Sequence, residues 1–147
     1  MTEGALSRDD LGFLLAKATQ RWNELLAGSF ARAGFPEVRP SYGSVLLPLF
    51  EEDGLQMGEL ARRSRLSKQT MTTLVRRVER DGLVSRRADP GDARATLIFL
   101  TDRARAFEPA AAEVLRQLDR AVRSRLDPAA VASVKEALRE LTALELG

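Results

Sequence analysis

With 147 residues, 44% of them hydrophobic and 30% charged, the chain suits one domain with a real core and a well-solvated surface. It contains no cysteine and no histidine, which excludes disulfides, thiol redox switches and thiolate metal sites, and removes the usual acid–base group of an enzyme near neutral pH. Net charge is only +2, yet residues 60–105 hold twelve basic and five acidic side chains, so this middle segment is +7 and the rest −5, an electrostatic footprint for a polyanion.

The opening MTEGALSRDD lacks the basic-then-apolar pattern of a secretion signal. No run approaches the roughly 18 apolar residues of a membrane span, so a cytoplasmic location and no membrane partner are expected. A first helix is expected from a Ser7 cap with Asp10 in its first turn. Leu11, Leu14, Leu15, Ala18, Trp22, Leu25, Leu26 and Ser29 follow at helical spacing, and Gly34, Pro36 and Pro40 break the pattern. Ser41 can cap a second helix over 42–51. Pro48 inside it cannot donate to the Ser44 carbonyl, so a kink is expected there. Asp53-Gly54 is a turn.

A short helix over 57–63 turns Leu60 and Ala61 inward. Leu66 and Ser67 interrupt it, and Ser67 caps the next helix, which runs to about Asp81. Met71, Leu74, Val75 and Val78 form one buried stripe of that helix, and Gly82 ends it. Residues 83–87 and 94–100 are strand-like around the breaker-rich turn Ala88-Asp89-Pro90-Gly91-Asp92. Thr101 caps a long helix that contains Pro109. Asp127-Pro128 opens the last helix, with Val131, Val134, Leu138, Leu141 and Leu144 at helical spacing.

Short helix, turn, second helix and basic hairpin make a winged helix-turn-helix: a mainly α fold with a small β-hairpin wing, plus terminal helices available for dimerisation. A helix about 10–12 Å across fits the major groove of B-DNA, provided its outer face offers polar groups. With the apolar stripe inward, Gln69, Thr72, Thr73 and Arg76 face out and Arg77 lies at the edge. Gln suits adenine, Arg suits guanine, and a Thr methyl suits that of thymine. Ser67 and Lys68 begin the helix, where backbone N–H groups favour a phosphate. Arg86, Arg87 and Arg94 flank the hairpin tip. An arginine there can enter the minor groove, with Asp92 aiming it.

The run from Met57 to Thr101 resembles the core of the MarR family. Leu60-Ala61 is similar to that family's helix before the turn, and Ser67-Lys68-Gln69-Thr70 to the start of its recognition helix. Val78-Glu79-Arg80-Asp81-Gly82-Leu83-Val84 is similar to the helix exit, and Asp89-Pro90-Gly91-Asp92-Ala93-Arg94 to the wing. The resemblance implies one domain over 1–147, with dimerisation helices in 1–34 and 101–147 around a DNA-binding lobe at 41–100. It implies a homodimer on a pseudo-palindromic double-stranded operator, usually as a repressor, released by a small organic and often aromatic ligand. Thr70 enters the expected DNA-contact set on this likeness. Pro48 and Pro109 are unusual breaks against the family pattern.

Trp22, Arg39 and Tyr42 are the candidate ligand residues, because aromatic and guanidinium groups can hold a planar anion by stacking and paired hydrogen bonds. No metal and no cofactor are expected. Glu51-Glu52 adjoins a turn without converging partners, so no enzyme is expected. The alternative is a winged helix used for protein–protein contact without DNA binding.

Overall fold

A computed structural model describes residues 6–147; the first five residues of the expected single domain lie outside it. The chain forms two compact units, one ending at Ala111 and one spanning Ala112–Gly147.

The first unit opens with helix α1 (Leu11–Arg32). Its cap is Asp10, not Ser7: the Asp10 carboxylate accepts from the Phe13 N–H at 3.3 Å. Ser7 instead makes the preceding turn, accepting from the Asp9 N–H on its hydroxyl and from the Asp10 N–H on its carbonyl. A carboxylate at this position also complements the positive helix end, which a hydroxyl cannot do. Leu26 and Phe30 are the buried residues of α1. Phe30 and Phe35 both meet the Phe107 ring edge to face, with centroids 4.8 and 5.3 Å apart.

A 3-10 turn, Pro40–Tyr42, precedes helix α2 (Gly43–Glu51). The expected Ser41 cap is absent, since Pro40 starts the turn one residue earlier with its φ already set. Helix α2 runs through Pro48. The carbonyl that Pro48 leaves without a donor, Ser44 O, accepts from the Ser64 hydroxyl.

Strand β1 (Leu55–Gln56), helix α3 (Met57–Arg63), helix α4 (Lys68–Arg80), strand β2 (Val84–Asp89) and strand β3 (Asp92–Leu100) follow. The expected hairpin is therefore two strands of a three-stranded antiparallel sheet in the order β1-β3-β2. Leu55 pairs with Ile98 and Val84 with Leu100, and an irregularity falls between Ala88 and Asp89. A two-residue strand is too short to show alternation, so only pairing with β3 defines it.

Tyr42, Val45, Leu49, Leu60, Met71, Val75, Val78, Leu83 and Ile98 are fully buried and bring together the turn before α2, helices α2, α3 and α4, and strand β3. Each side chain of that size contributes about 1.5–3 kcal/mol by leaving water. Leu74, expected in the stripe, is only half-buried.

Helix α5 (Asp102–Arg123) begins in the first unit. Thr101 caps it, accepting from the Ala104 N–H at 3.2 Å while donating to Gly82 O at 2.7 Å. The second unit holds the rest of α5 and helix α6 (Pro128–Thr142), capped by Asp127 on the Ala130 N–H at 2.7 Å. There Val114, Leu118 and Val131 are buried, whereas Leu115, Val134 and Leu138 are exposed.

Candidate nucleic-acid interface

Helix α4 owes its position to both its sequence and its neighbours. Met71, Val75 and Val78 bury one side completely, which leaves Lys68, Gln69, Thr70, Thr73, Arg76 and Arg77 exposed; Thr72 is half-buried. Ser67 is the N-cap, accepting from the Thr70 N–H at 3.1 Å and donating to the Thr70 hydroxyl at 2.8 Å. These two hydroxyls therefore first complete the helix start. Thr72 and Thr73 donate to the carbonyls of Lys68 and Gln69 at 2.8 and 3.1 Å. Their hydroxyl protons are spent inside the helix, so they offer methyl groups and oxygen lone pairs outward.

At its far end α4 stops at Asp81, followed by Gly82 at φ +81, a conformation an L side chain adopts only with strain. The Tyr42 hydroxyl donates to Asp81 there. Before α4, the turn from α3 holds Arg65 at φ +55.

The wing is braced from several directions. The Arg86 guanidinium meets Glu79 of α4 at 3.0 Å. Arg87 lies over the Phe99 ring, 4.6 Å from its centroid. At Gly54, whose φ is +69, a Cβ would come within 2.8 Å of the same ring, so close approach and backbone conformation both call for glycine. The Asp53 carboxylate at this corner accepts from the Leu100 N–H at 2.9 Å and meets Arg105 at 2.8 Å. At the tip, Asp89 accepts from the Gly91 N–H and from Gln56, both at 2.8 Å, and these two donors hold its carboxyl below the usual range.

The structure changes the role expected for Asp92. Its carboxylate accepts from the backbone N–H of Arg94 at 3.0 Å and makes no ion pair with the guanidinium. It shapes the turn rather than aiming the side chain, because the short aspartate sits closer to the peptide two residues on. Among the described residues, Lys68, Arg76, Arg77 and Arg94 form no salt bridge, whereas Arg62, Arg63 and Arg86 do. Sequence reasoning named the wing arginines but missed their partners Glu79 and Phe99, and missed Gln56 and Ser64, since these contacts span 7 to 33 residues.

An open groove of about 530 Å³ lies between the start of α2 and α4, lined by Ser41, Ser44, Gln69, Thr73 and Arg77 among others. The expected ligand set is not assembled. Tyr42 is fully buried with its hydroxyl committed to Asp81, so it cannot face a ligand; Trp22 and Arg39 are exposed. Burial first, and the Asp81 contact second, push the Tyr42 phenol above its ordinary value. Among the described residues no cluster of three His, Cys, Asp or Glu could hold a metal ion, and no helix is long and apolar enough to cross a membrane.

Comparison with known proteins accords with this geometry. A model of the MarR family matches residues 40–96. The HTH-type transcriptional repressor Mb2911 of Mycobacterium bovis is 34% identical over 93 residues, 63% of this chain and 67% of that protein. The HTH-type transcriptional regulator TtmR of Methylorubrum extorquens is 44% identical over 64 residues, 44% of this chain but only 33% of TtmR. Among solved structures, a probable transcriptional regulator from Pseudomonas aeruginosa has a TM-score of 0.78 and 28% identity, over 90% of this chain and 97% of its own. Reduced AbfR bound to DNA has a TM-score of 0.67 and 25% identity, over 90% and 88% of the two chains. BpsR of Bordetella bronchiseptica, whose DNA binding is regulated by 6-hydroxynicotinic acid, shares the fold: TM-score 0.80 and 19% identity over 97% and 100%.

Proposed function

The chain belongs to the MarR family of transcriptional regulators, not to a class of enzymes, and on that premise we propose that it is a dimeric, sequence-specific repressor released by a small aromatic ligand. The observation that carries the DNA-binding part is the outer face of α4. Lys68, Gln69, Thr73, Arg76 and Arg77 stand exposed on a helix locked by a fully buried stripe, with no internal ion pair to occupy the cations. In this reading Gln69, Thr72, Thr73 and Arg76 meet base edges. Lys68, Thr70 and Arg77 meet backbone phosphates, with Ser67 capping the helix start that faces them, and Arg94 enters the minor groove. Arg86 and Arg87 hold the wing and lend it positive charge. A wing and recognition helix used only for protein contact have no need of so many unneutralised cations.

Dimerisation is supported by exposed apolar side chains in both units: Leu11, Leu14 and Trp22 on α1, and Leu115, Val134 and Leu138 on α5 and α6. We assign 1–34 and 101–147 to dimer contacts and 41–100 to DNA. The ligand part draws on BpsR, whose effector is an aromatic acid. The exposed Trp22 and Arg39 offer stacking and a guanidinium for such an anion, without help from Tyr42. A 100-fold release of DNA needs about 2.7 kcal/mol of coupling between the two sites.

The test is selection of bound fragments from genomic DNA, followed by release with a panel of aromatic acids. Retention of specific fragments and their release by an aromatic acid are expected. Absence of any DNA retention would overturn the regulator reading. Release by zinc or peroxide alone would overturn the ligand reading. An acid equally effective on Trp22→Ala and Arg39→Ala would move the ligand site elsewhere.

A further inference from the structure

We propose that Arg65 is an additional clamp on the DNA backbone, its guanidinium taking a phosphate beside the start of the recognition helix, at an expense in folding stability. The inference rests on the DNA-binding reading above and extends it to a residue outside the recognition helix and the wing.

Arg65 is the non-glycine residue with positive φ among the described residues, at +55. That region crowds the Cβ of an L residue, and glycine or asparagine tolerates it better. The turn is held there by its own hydrogen bonds: the Arg65 N–H donates to Arg62 O at 3.2 Å and the Leu66 N–H to Ala61 O at 3.0 Å. The Ser64 hydroxyl fastens the same turn to Ser44 O of α2. The backbone therefore dictates the left-handed conformation, and arginine is a poor choice for it on grounds of folding alone.

Nothing inside the protein accounts for the side chain. Arg65 is exposed and forms no salt bridge. Its neighbours differ: Arg62 is held by Glu59 at 2.5 Å, and Arg63 by Glu52 and Glu59, each at 2.8 Å. Those carboxylates are thereby already occupied. Arg65 is the cation of this stretch left with its charge and all five donors available, three residues from Lys68, which also has no ion pair. A cation at a strained position with no internal acceptor has its use outside the chain. A phosphate next to the bases read by α4 has the matching charge and geometry.

The experiment compares wild type, Arg65→Gly, Arg65→Asn and Arg65→Lys on a selected operator fragment and on random DNA, over a range of salt, with thermal midpoints measured in parallel. Arg65→Gly should raise the midpoint by about 3 °C, since the left-handed strain is relieved. It should weaken both DNAs alike, by roughly tenfold per half-site near 0.1 M salt, and flatten the log–log salt slope by about 0.9 for each phosphate no longer neutralised. Arg65→Asn should match it in binding. Arg65→Lys should keep the salt slope and a midpoint near that of wild type. Unchanged affinity and slope in Arg65→Gly would overturn the proposal, as would a weakening confined to the operator. A wild-type protein that binds neither DNA would overturn the regulator reading itself, and this one with it.

Discussion

The hydroxyl of Tyr42 donates to the carboxylate of Asp81, joining the turn before α2 to the C-terminal cap of the recognition helix 39 residues later. A carboxylate at a helix C-terminus opposes the helix dipole, so Asp81 needs a donor, and the fully buried phenol supplies one. Removing that hydroxyl in Tyr42→Phe leaves one oxygen of the half-buried Asp81 carboxylate without its hydrogen-bond donor, with only the long 4.0 Å ion pair to Arg80 remaining, and should lower stability by about 1–3 kcal/mol in denaturant titrations.

The same pair predicts a response to alkali. The folded-state Tyr42 phenol lies above its ordinary value, through burial and then Asp81. Folding therefore favours the protonated phenol. That contribution is complete below the ordinary tyrosine value near 10 and is lost as pH rises through the raised folded value. Tyr42 is the single tyrosine of the chain, so ultraviolet absorbance reports its ionisation directly. Tyr42→Phe should remove this part of the alkaline loss of stability; an ordinary tyrosine titration in the folded protein would contradict the assignment.

Pro48 and Ser64 should behave as a coupled pair. Ser64→Ala leaves Ser44 O without a donor and should cost about 1 kcal/mol or more. In a Pro48→Ala background the helix regains its own N–H donor, and Ser64→Ala should then cost less. A double-mutant cycle in urea measures the difference, and strictly additive effects would show that the hydroxyl does not serve that carbonyl.

The exposed wing tip predicts a binding defect without a folding defect. Arg94→Ala should sharply reduce operator affinity and leave the thermal midpoint unchanged. Asp92→Ala should act more weakly, because it loosens the Arg94 backbone and removes no cation. Equal operator affinity for Arg94→Ala and wild type would rule out insertion into the minor groove.

Residues of α4 should separate into readers and anchors. Gln69→Ala, Thr73→Ala or Arg76→Ala should reduce the ratio of specific to non-specific binding, by about 1–3 kcal/mol where a bidentate hydrogen bond to a base is removed. Lys68→Ala should weaken all sequences alike and flatten the salt dependence. The reverse pattern would mean that α4 is turned differently in the groove.

Assembly is tested by charge on the exposed apolar positions of α6. Leu138→Asp or Val134→Asp should shift sedimentation from dimer to monomer and raise the protein concentration needed to occupy an operator with half-sites about 10 bp apart. A wild type that stays monomeric at micromolar concentration and on DNA would contradict the dimer.

Local patterns were legible wherever a few neighbouring residues decide the outcome. The Ser67 and Asp127 caps, the Met71-Val75-Val78 stripe and the Gly82 stop all emerge in the structure where their spacing places them. The start of α1 departs from the expected Ser7 cap because Ser7 and Asp10 are both competent caps, and the Asp10 carboxylate, which takes the Phe13 N–H, adds the charge that suits the positive helix end. The candidate ligand set failed at Tyr42 for a related reason: an aromatic residue beside prolines reads alike whether it lines a cleft or fills a core.

By itself, the sequence determined the family, the order of helices and the polar face of α4, because amphipathic periods and capping residues act over three or four positions. It also ruled out thiol chemistry and histidine ligation by composition alone. Only the tertiary structure decided which cations are engaged and which stand free. Arg86 is taken by Glu79, Arg87 rests on Phe99, and Arg94 and Arg65 are left without an ion pair. It alone added β1 to the sheet, closed Ser64 onto Ser44 and committed Tyr42 to Asp81. Each of these contacts joins residues that periodicity does not relate, and burial or the approach of an opposite charge selects among several equally plausible partners.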